Sequence, residues 1–303
     1  MPNLRDIKNR IKSVQSTGKI TQAMKMVAAS KVKKAEAAAK ESRPFSQFLV
    51  KVFAELGKNS TDFQSDETVF ESALENYPAL LKKREIKNIG LLVITSDKGL
   101  AGSYNTNVIK EALSTIKDYT EKGIGVKLFI VGLKGITSLK KVLEEGKVEN
   151  IKNYAKIPPI VEVEVAKMIA SDLAQAYVSE QIDSIEIITT EFRSMLSYKV
   201  AKSQLLPLQL PNEEVKGINP EMIFEPTKEE VLKKIVPLYF ANTIYTAMKE
   251  AMASELAARM NAMSNATKNA EEMARNLSIA YNKARQYSIT QELIEVVSGA
   301  NSV

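Results

Sequence analysis

Residues 252–287 read MASELAARMNAMSNATKNAEEMARNLSIAYNKARQY, without a proline or a glycine. Small and apolar residues return at heptad spacing. One seam position takes Met252, Arg259, Ala266, Met273, Ala280 and Tyr287, and the other takes Leu256, Met263, Ala270, Leu277 and Ala284. Only Arg259 breaks the pattern. Such a repeat predicts a coiled-coil seam, and its alanines allow two helices to approach closely. The pattern extends to a helix over residues 228–298, with Pro237 predicted to kink its early part. A proline-rich stretch, residues 206–226, precedes it.

A seam needs a partner, and the other end of the chain offers one. Residues 3–57 are rich in Ala, Lys, Met and Gln, and Gly18 is the only glycine before Gly57. The spacing predicts one helix, with Pro44 marking a kink. Its apolar stripe starts as Leu4, Ile7, Ile11 and Val14. Strict heptad phase would continue through Gly18, Thr21 and Lys25, so the stripe is expected to shift to Ile20, Met24 and Val27, then Val32, Ala35 and Ala39. That shift would be a stutter in the coiled coil. At 1.5 Å per residue the two helices would span ~80 and ~105 Å. They are expected to pair antiparallel as a rod on a globular foot, because the intervening chain brings them back together. The competing arrangement lays both helices separately on the central sheet.

Between them lies a polar linker with a short helical piece (58–85), followed by alternation. IKNIGLLVITSD and VKLFIVG read as buried strands. TNVIKEALSTIKDYTEKG reads as an amphipathic helix ended by Gly123, and GITSLKKVLEEG as another. VEVEVAKMIASDLAQAYVSEQ becomes helical, and DSIEIITTEF and the stretch near 198–204 are strands. Alternation of this kind predicts an open, largely parallel, Rossmann-like sheet. The expected fold is α+α/β: a long antiparallel two-helix coiled coil from segments 1–57 and 208–303, with an α/β foot at 86–207.

Composition limits the chemistry. Among 303 residues there is no Cys, His or Trp. That excludes disulfides, thiolate or histidine catalysis and Cys/His metal sites. The net charge of +6 is uneven: residues 1–60 carry 13 Lys+Arg against 4 Asp+Glu, and the rest of the chain 29 against 32. The basic segment calls for an acidic surface. The loop TSDKGLAGSYN (95–105) follows a strand and precedes a helix, where phosphates bind in nucleotide folds. Its glycines are spaced G-x-x-G, however, so a structural turn, with Asp97 and Lys98 pairing locally, is favoured over a phosphate site. The pairs Glu144–Glu145, Glu213–Glu214, Glu229–Glu230 and Glu271–Glu272 read as surface charge. No cofactor and no metal are expected.

Near the C-terminal end Ile289, Leu293, Val296 and Val297 form an apolar stripe beyond the reach of the shorter helix. An unpaired apolar tip requires an enclosing partner. No apolar run approaches the ~18 residues that a membrane span needs, and the opening MPNLRDIKNR lacks a signal-peptide core. Pattern alone leaves open a coiled-coil partner protein, a basic nucleic-acid binder or a Rossmann-type enzyme with helical extensions. The second suffers from the absence of aromatics in 8–34, the third from the absence of a glycine fingerprint.

The residues also carry a resemblance. IKNRIKSVQSTGKITQAMKMVAASKVKKAE (7–36), SDKGLAGSYN (96–105), SQLLPL (203–208), ASELAARMNAMSNATKNAEEM (253–273) and YNKARQYSITQELIEVVSGA (281–300) resemble the gamma subunit of F-type ATP synthases, bacterial in kind. The resemblance implies a non-catalytic central-stalk rotor. Its coiled coil would enter the ring of alpha and beta subunits, and its foot would sit with the epsilon subunit on the membrane c-ring. Proton flow would turn the shaft and drive ATP synthesis. It would be peripheral, at the cytoplasmic face of a bacterial membrane, with no nucleic-acid partner. The resemblance also implies contacts with the ring. Met24 and Lys25 would meet an acidic loop of beta, Arg259 would be a shaft arginine near the same level, kept for a partner in the ring, Gln286, Thr290 and Glu292 would make polar contacts higher up, and Ile289, Leu293 and Val297 would form the apolar tip.

Overall fold

A computed structural model describes residues 4–58, 72–146, 148–158, 161–208, 225 and 227–300. In chain order the elements are α1 (Leu4–Lys58), α2 (Tyr77–Leu81), β1 (Asn88–Ile94), α3 (Tyr104–Glu121), β2 (Gly125–Val131), α4 (Leu133–Glu144), β3 (Val148–Tyr154), α5 (Val163–Val178), β4 (Ser184–Ser194), β5 (Ser197–Leu206) and α6 (Lys228–Ala300). The terminal helices run 55 and 73 residues, and each stays one helix through its proline, Pro44 and Pro237. Two compact units divide the chain. One joins Met1–Ser30 to Arg259–Val303, and the other is Lys31–Ala258.

The Lys31–Ala258 unit is built on a five-stranded sheet of order β3-β2-β1-β4-β5. β1 pairs parallel with β2 and β4, β2 pairs parallel with β3, and β5 returns antiparallel along β4. A strand with alternate residues in two different cores must be apolar throughout, which is why β1 reads NIGLLVI. Ile89, Leu91 and Val93 pack with Val108, Ala112 and Ile116 of α3 and Leu139 of α4. Leu92 and Ile94 face the other way, onto Ile169 and Leu173 of α5 and Leu232, Val236, Phe240, Ile244 and Met248 of α6. The first turns of α6 thus belong to the sheet's larger core.

β3 has no counterpart among the sequence-predicted strands. Its sequence, VENIKNY, is mostly polar, and only its end residues Val148 and Tyr154 are buried. An edge strand pairs on one side alone, and its register comes from the backbone of β2 rather than from an apolar pattern.

In this unit α1 and α6 also pair antiparallel. Val32 clusters with Leu256 and Ala257. The Lys249 ammonium donates to the Ala38 carbonyl at 3.2 Å, and Asn242 Nδ2 donates to Ser46 Oγ at 2.8 Å. Between the first and last of these contacts the α1 number rises as the α6 number falls, the signature of opposed helices.

Candidate functional site: the helical pair and its unpaired tip

In the unit formed by residues 1–30 and 259–303, α1 and α6 are again opposed. A Cβ on Gly18 would stand 3.4 Å from Ala270 Cβ. Three residues on in α1, and three back in α6, Thr21 Oγ1 and Thr267 Oγ1 meet at 2.8 Å. Each hydroxyl also reaches its own helix, Thr21 to the Gly18 carbonyl (3.0 Å) and Thr267 to the Met263 carbonyl (2.8 Å). Both threonines are buried, and these bonds satisfy groups that would otherwise be desolvated at a cost.

This geometry corrects two sequence expectations. The stripe of α1 makes no stutter. Gly18, Thr21 and Ala28 are buried and Lys25 is half-buried, so strict heptad phase continues to Val32. Ile20 and Val27, expected in the seam, are 58% and 57% exposed. Small size wins over hydrophobicity here: a glycine opposite an alanine lets the backbones approach, and bonded hydroxyls tolerate the resulting burial. In α6 the position Met263, Ala270, Leu277, Ala284 lies in the seam as expected. Its companions are Thr267, Ala274 and Tyr281, not Met273, Ala280 and Tyr287, which are exposed. The α6 stripe thus follows the residue four after each seam member rather than four before.

Met24, Lys25 and Arg259 are all half-buried in this unit. Arg259 is engaged rather than free. Ile20, Met26, Val27, Met273 and Ile279 present apolar side chains to the surface.

Burial ends along α6 in a definite place. Leu277, Tyr281, Ala284 and Ser288 are half-buried, whereas every residue from 289 to 298 is exposed. Continuing the pairing register sets Leu4, the first residue of α1, opposite Ala284. Beyond that point no described residue of α1 faces Ile289, Leu293, Ile294, Val296 or Val297, and Leu293 is 60% exposed. The polar side chains of the tip bond within the helix. The Thr290 hydroxyl donates to the Gln286 carbonyl at 2.9 Å, and the Ser288 hydroxyl to a Glu292 carboxylate oxygen at 3.3 Å. Glu292 and Gln286 stay exposed and available to a partner.

The loop after β1 is closed by its own side chains. Asp97 accepts from the backbone N–H groups of Leu133 (2.9 Å), Lys156 (3.2 Å) and Ile157 (2.8 Å). The first of these lies at the N-terminus of α4, so a carboxylate of the chain occupies a place that suits an anion. Gly132, at φ +95°, lies against the Thr95 carbonyl so closely that a Cβ would collide with it. Ser96 Oγ and the Ser96 N–H both bond to Asn105 Oδ1, each at 3.0 Å, across the loop. This is a structural turn. Of the carboxylate pairs, Glu144 makes an exposed bridge to Lys140 at 3.6 Å. Glu145, Glu229, Glu230, Glu271 and Glu272 are exposed, and Glu213–Glu214 lie outside the described residues.

Comparison with known proteins agrees along the chain. A family model described as ATP synthase matches residues 3–303. The ATP synthase gamma chain of Picosynechococcus sp. is 39% identical, with all of both chains covered. That of Desulforamulus reducens is 36% identical over 99% of each. Among solved structures, the central stalk and c-ring of the Tetrahymena thermophila mitochondrial ATP synthase aligns with a TM-score of 0.58 at 26% identity, covering 82% of this chain and 99% of that one. A chain of the Euglena gracilis mitochondrial ATP synthase shares the fold, with a TM-score of 0.68 at 16% identity over 99% of this chain and 94% of its own.

Proposed function

The chain belongs to the ATP synthase gamma family, and from that premise we propose how its residues serve the rotor. Its place is the central stalk, where it is a non-catalytic subunit between the catalytic alpha and beta subunits and the c-ring. It couples proton flow to ATP synthesis, or the reverse, by turning. Among the described residues no helix is long and apolar enough to cross a membrane, and we place the subunit peripherally, at the cytoplasmic face of a bacterial membrane, with epsilon as a further partner. Segments 1–57 and 208–303 act as the shaft and 86–207 as the foot.

Rotation can bias three equivalent catalytic sites only if each sees a different face of the shaft, because a uniform cylinder has no differential interaction with their states. The faces of this pair do differ. One carries Ile20, Met26 and Val27, while Lys25 holds a half-buried seam position with Met24 beside it. Lys25 and Arg259 supply positive charge for an acidic beta loop. Gln286, Thr290 and Glu292 supply polar contacts above them.

The observation that carries the reading is the tip, where Ile289, Leu293 and Val297 are exposed on a stretch of α6 that no described residue of α1 faces. An apolar sleeve of ring subunits would cover it. In the test, Leu293→Asp and Val297→Asp are combined and the chain is reconstituted with alpha and beta subunits. The purified chain should keep its helicity and melting temperature while ring assembly or torque falls several-fold. Unchanged assembly and torque would remove the tip from the mechanism.

A further inference from the structure

A cavity of about 420 Å³ opens within the Lys31–Ala258 unit, between α1, α6 and the segment leading into α5. Ala35, Val161, Met252 and Leu256 form its apolar walls, and Lys31, Lys34 and Lys249 also line it. None of the described residues lining it is acidic. Lys249 is the innermost cation by its partners. Its ammonium lies 4.3 Å from the centre of the Tyr245 ring and donates to the Ala38 carbonyl at 3.2 Å. Both partners are neutral. Among the described residues no carboxylate forms an ion pair with Lys31, Lys34 or Lys249. Lys31 and Lys34 are exposed and Lys249 is half-buried, so the mouth of an apolar hollow is rimmed by three positive charges.

The hollow continues. A second pocket of about 70 Å³ shares Val161 and Met252 with the first and reaches Ile94, Thr95 and Val131, at the carboxyl ends of β1 and β2. That edge is where open α/β sheets bind ligands. The two pockets adjoin at Val161 and Met252; the first carries the cations, and the second sets aliphatic side chains beside Thr95, Tyr104 and Asp97, whose carboxylate is already bonded to three backbone N–H groups. The volume of the first lies in the small-molecule range of roughly 300–1,000 Å³.

We propose that this cavity binds a linear amphipathic carboxylate. The head group pairs with Lys249, Lys34 and Lys31, and the hydrocarbon chain lies along Ala35, Met252, Leu256 and Val161 toward the sheet edge. The site is separate from the surfaces assigned to the ring.

Calorimetric titration of the purified full chain with octanoate, decanoate and dodecanoate, each below its micelle concentration, tests this. Affinity should rise about fourfold per added methylene while the chain still finds cavity wall. Decanol should bind at least tenfold more weakly than decanoate. Lys249→Gln should weaken decanoate at least tenfold with circular dichroism unchanged, and Met252→Trp, which fills the hollow, should abolish binding. Should Met252→Trp fail to fold, Lys34→Gln supplies the second variant, with a loss of several-fold. Absence of binding, equal binding of decanol, independence of chain length, or decanoate affinity unaltered in Lys249→Gln would each overturn the proposal.

Discussion

The hydroxyls of Thr21 and Thr267 meet at 2.8 Å inside the helical pair, although the residues are 246 positions apart in sequence. Each also has a carbonyl of its own helix within reach, so replacing one leaves the other satisfied. Thr267→Val should therefore cost only about 1 kcal/mol. Thr21→Val should cost as little, and the double variant less than the two losses added, because the shared bond is lost once. A double-mutant cycle by urea denaturation checks this. Strict additivity would mean that the hydroxyls do not interact.

Gly18→Ala should stabilise the pair. A methyl there would meet Ala270 Cβ at 3.4 Å, an ordinary contact, and alanine is favoured over glycine within a helix by about 1 kcal/mol. The expected outcome is a rise of a few degrees in melting temperature. Gly18→Leu should do the opposite, since its branched side chain would force the helices apart.

Asp97→Ala should destabilise the sheet unit by about 1–3 kcal/mol, because three backbone N–H groups lose their acceptor. Thermal unfolding would report the loss. Nucleotide added to the unsubstituted chain should produce no shift, in keeping with a loop already filled by its own carboxylate.

Tyr119 supplies a pH signature. Burial, with the hydroxyl donating a hydrogen bond to the Glu186 carboxylate at 2.9 Å, pushes the phenol up to about 12. The folded state keeps this proton where the unfolded state, near 10, has lost it. Stability from this group is therefore complete below pH 10 and declines as pH rises from 10 to about 12. Tyr119→Phe should flatten that part of the stability curve and remove one late-titrating phenolate from the absorbance titration. An unchanged alkaline curve would exclude Tyr119 as its source.

Met24→Lys should impair ATP synthesis more than ATP hydrolysis in the assembled enzyme, because a new cation tightens a contact that must slide past an acidic loop. Equal loss of both activities would contradict that account. Deletion of residues 298–303 should be mild.

The elements legible in the sequence were those whose burial is periodic. β1, β2 and β4 announce themselves as continuous apolar runs, and α6 as a long helix with Met263, Ala270, Leu277 and Ala284 on one side. What escaped was written in size rather than hydrophobicity. Gly18, Thr21 and Thr267 look like weak seam residues, so the stripe was expected to turn toward Ile20 and Val27. In fact the close approach selects the small residues and leaves those two outside. β3 escaped because an edge strand borrows its register from β2. The tip was legible because exposed Ile289, Leu293 and Val297 violate the pattern, and such violations point to function.

The antiparallel pairing of the two chain ends is tested most directly by a cross-link. The chain has no cysteine, so Gly18→Cys with Ala270→Cys creates a single pair. The built Cβ separation of 3.4 Å lies close to the disulfide range of roughly 3.5–4.5 Å. Mild oxidation should close the bond nearly completely within one chain, with ATP-driven rotation of the assembled enzyme preserved, since both halves belong to the rotor. Failure of the bond to form, or a bond that stops rotation, would contradict the account.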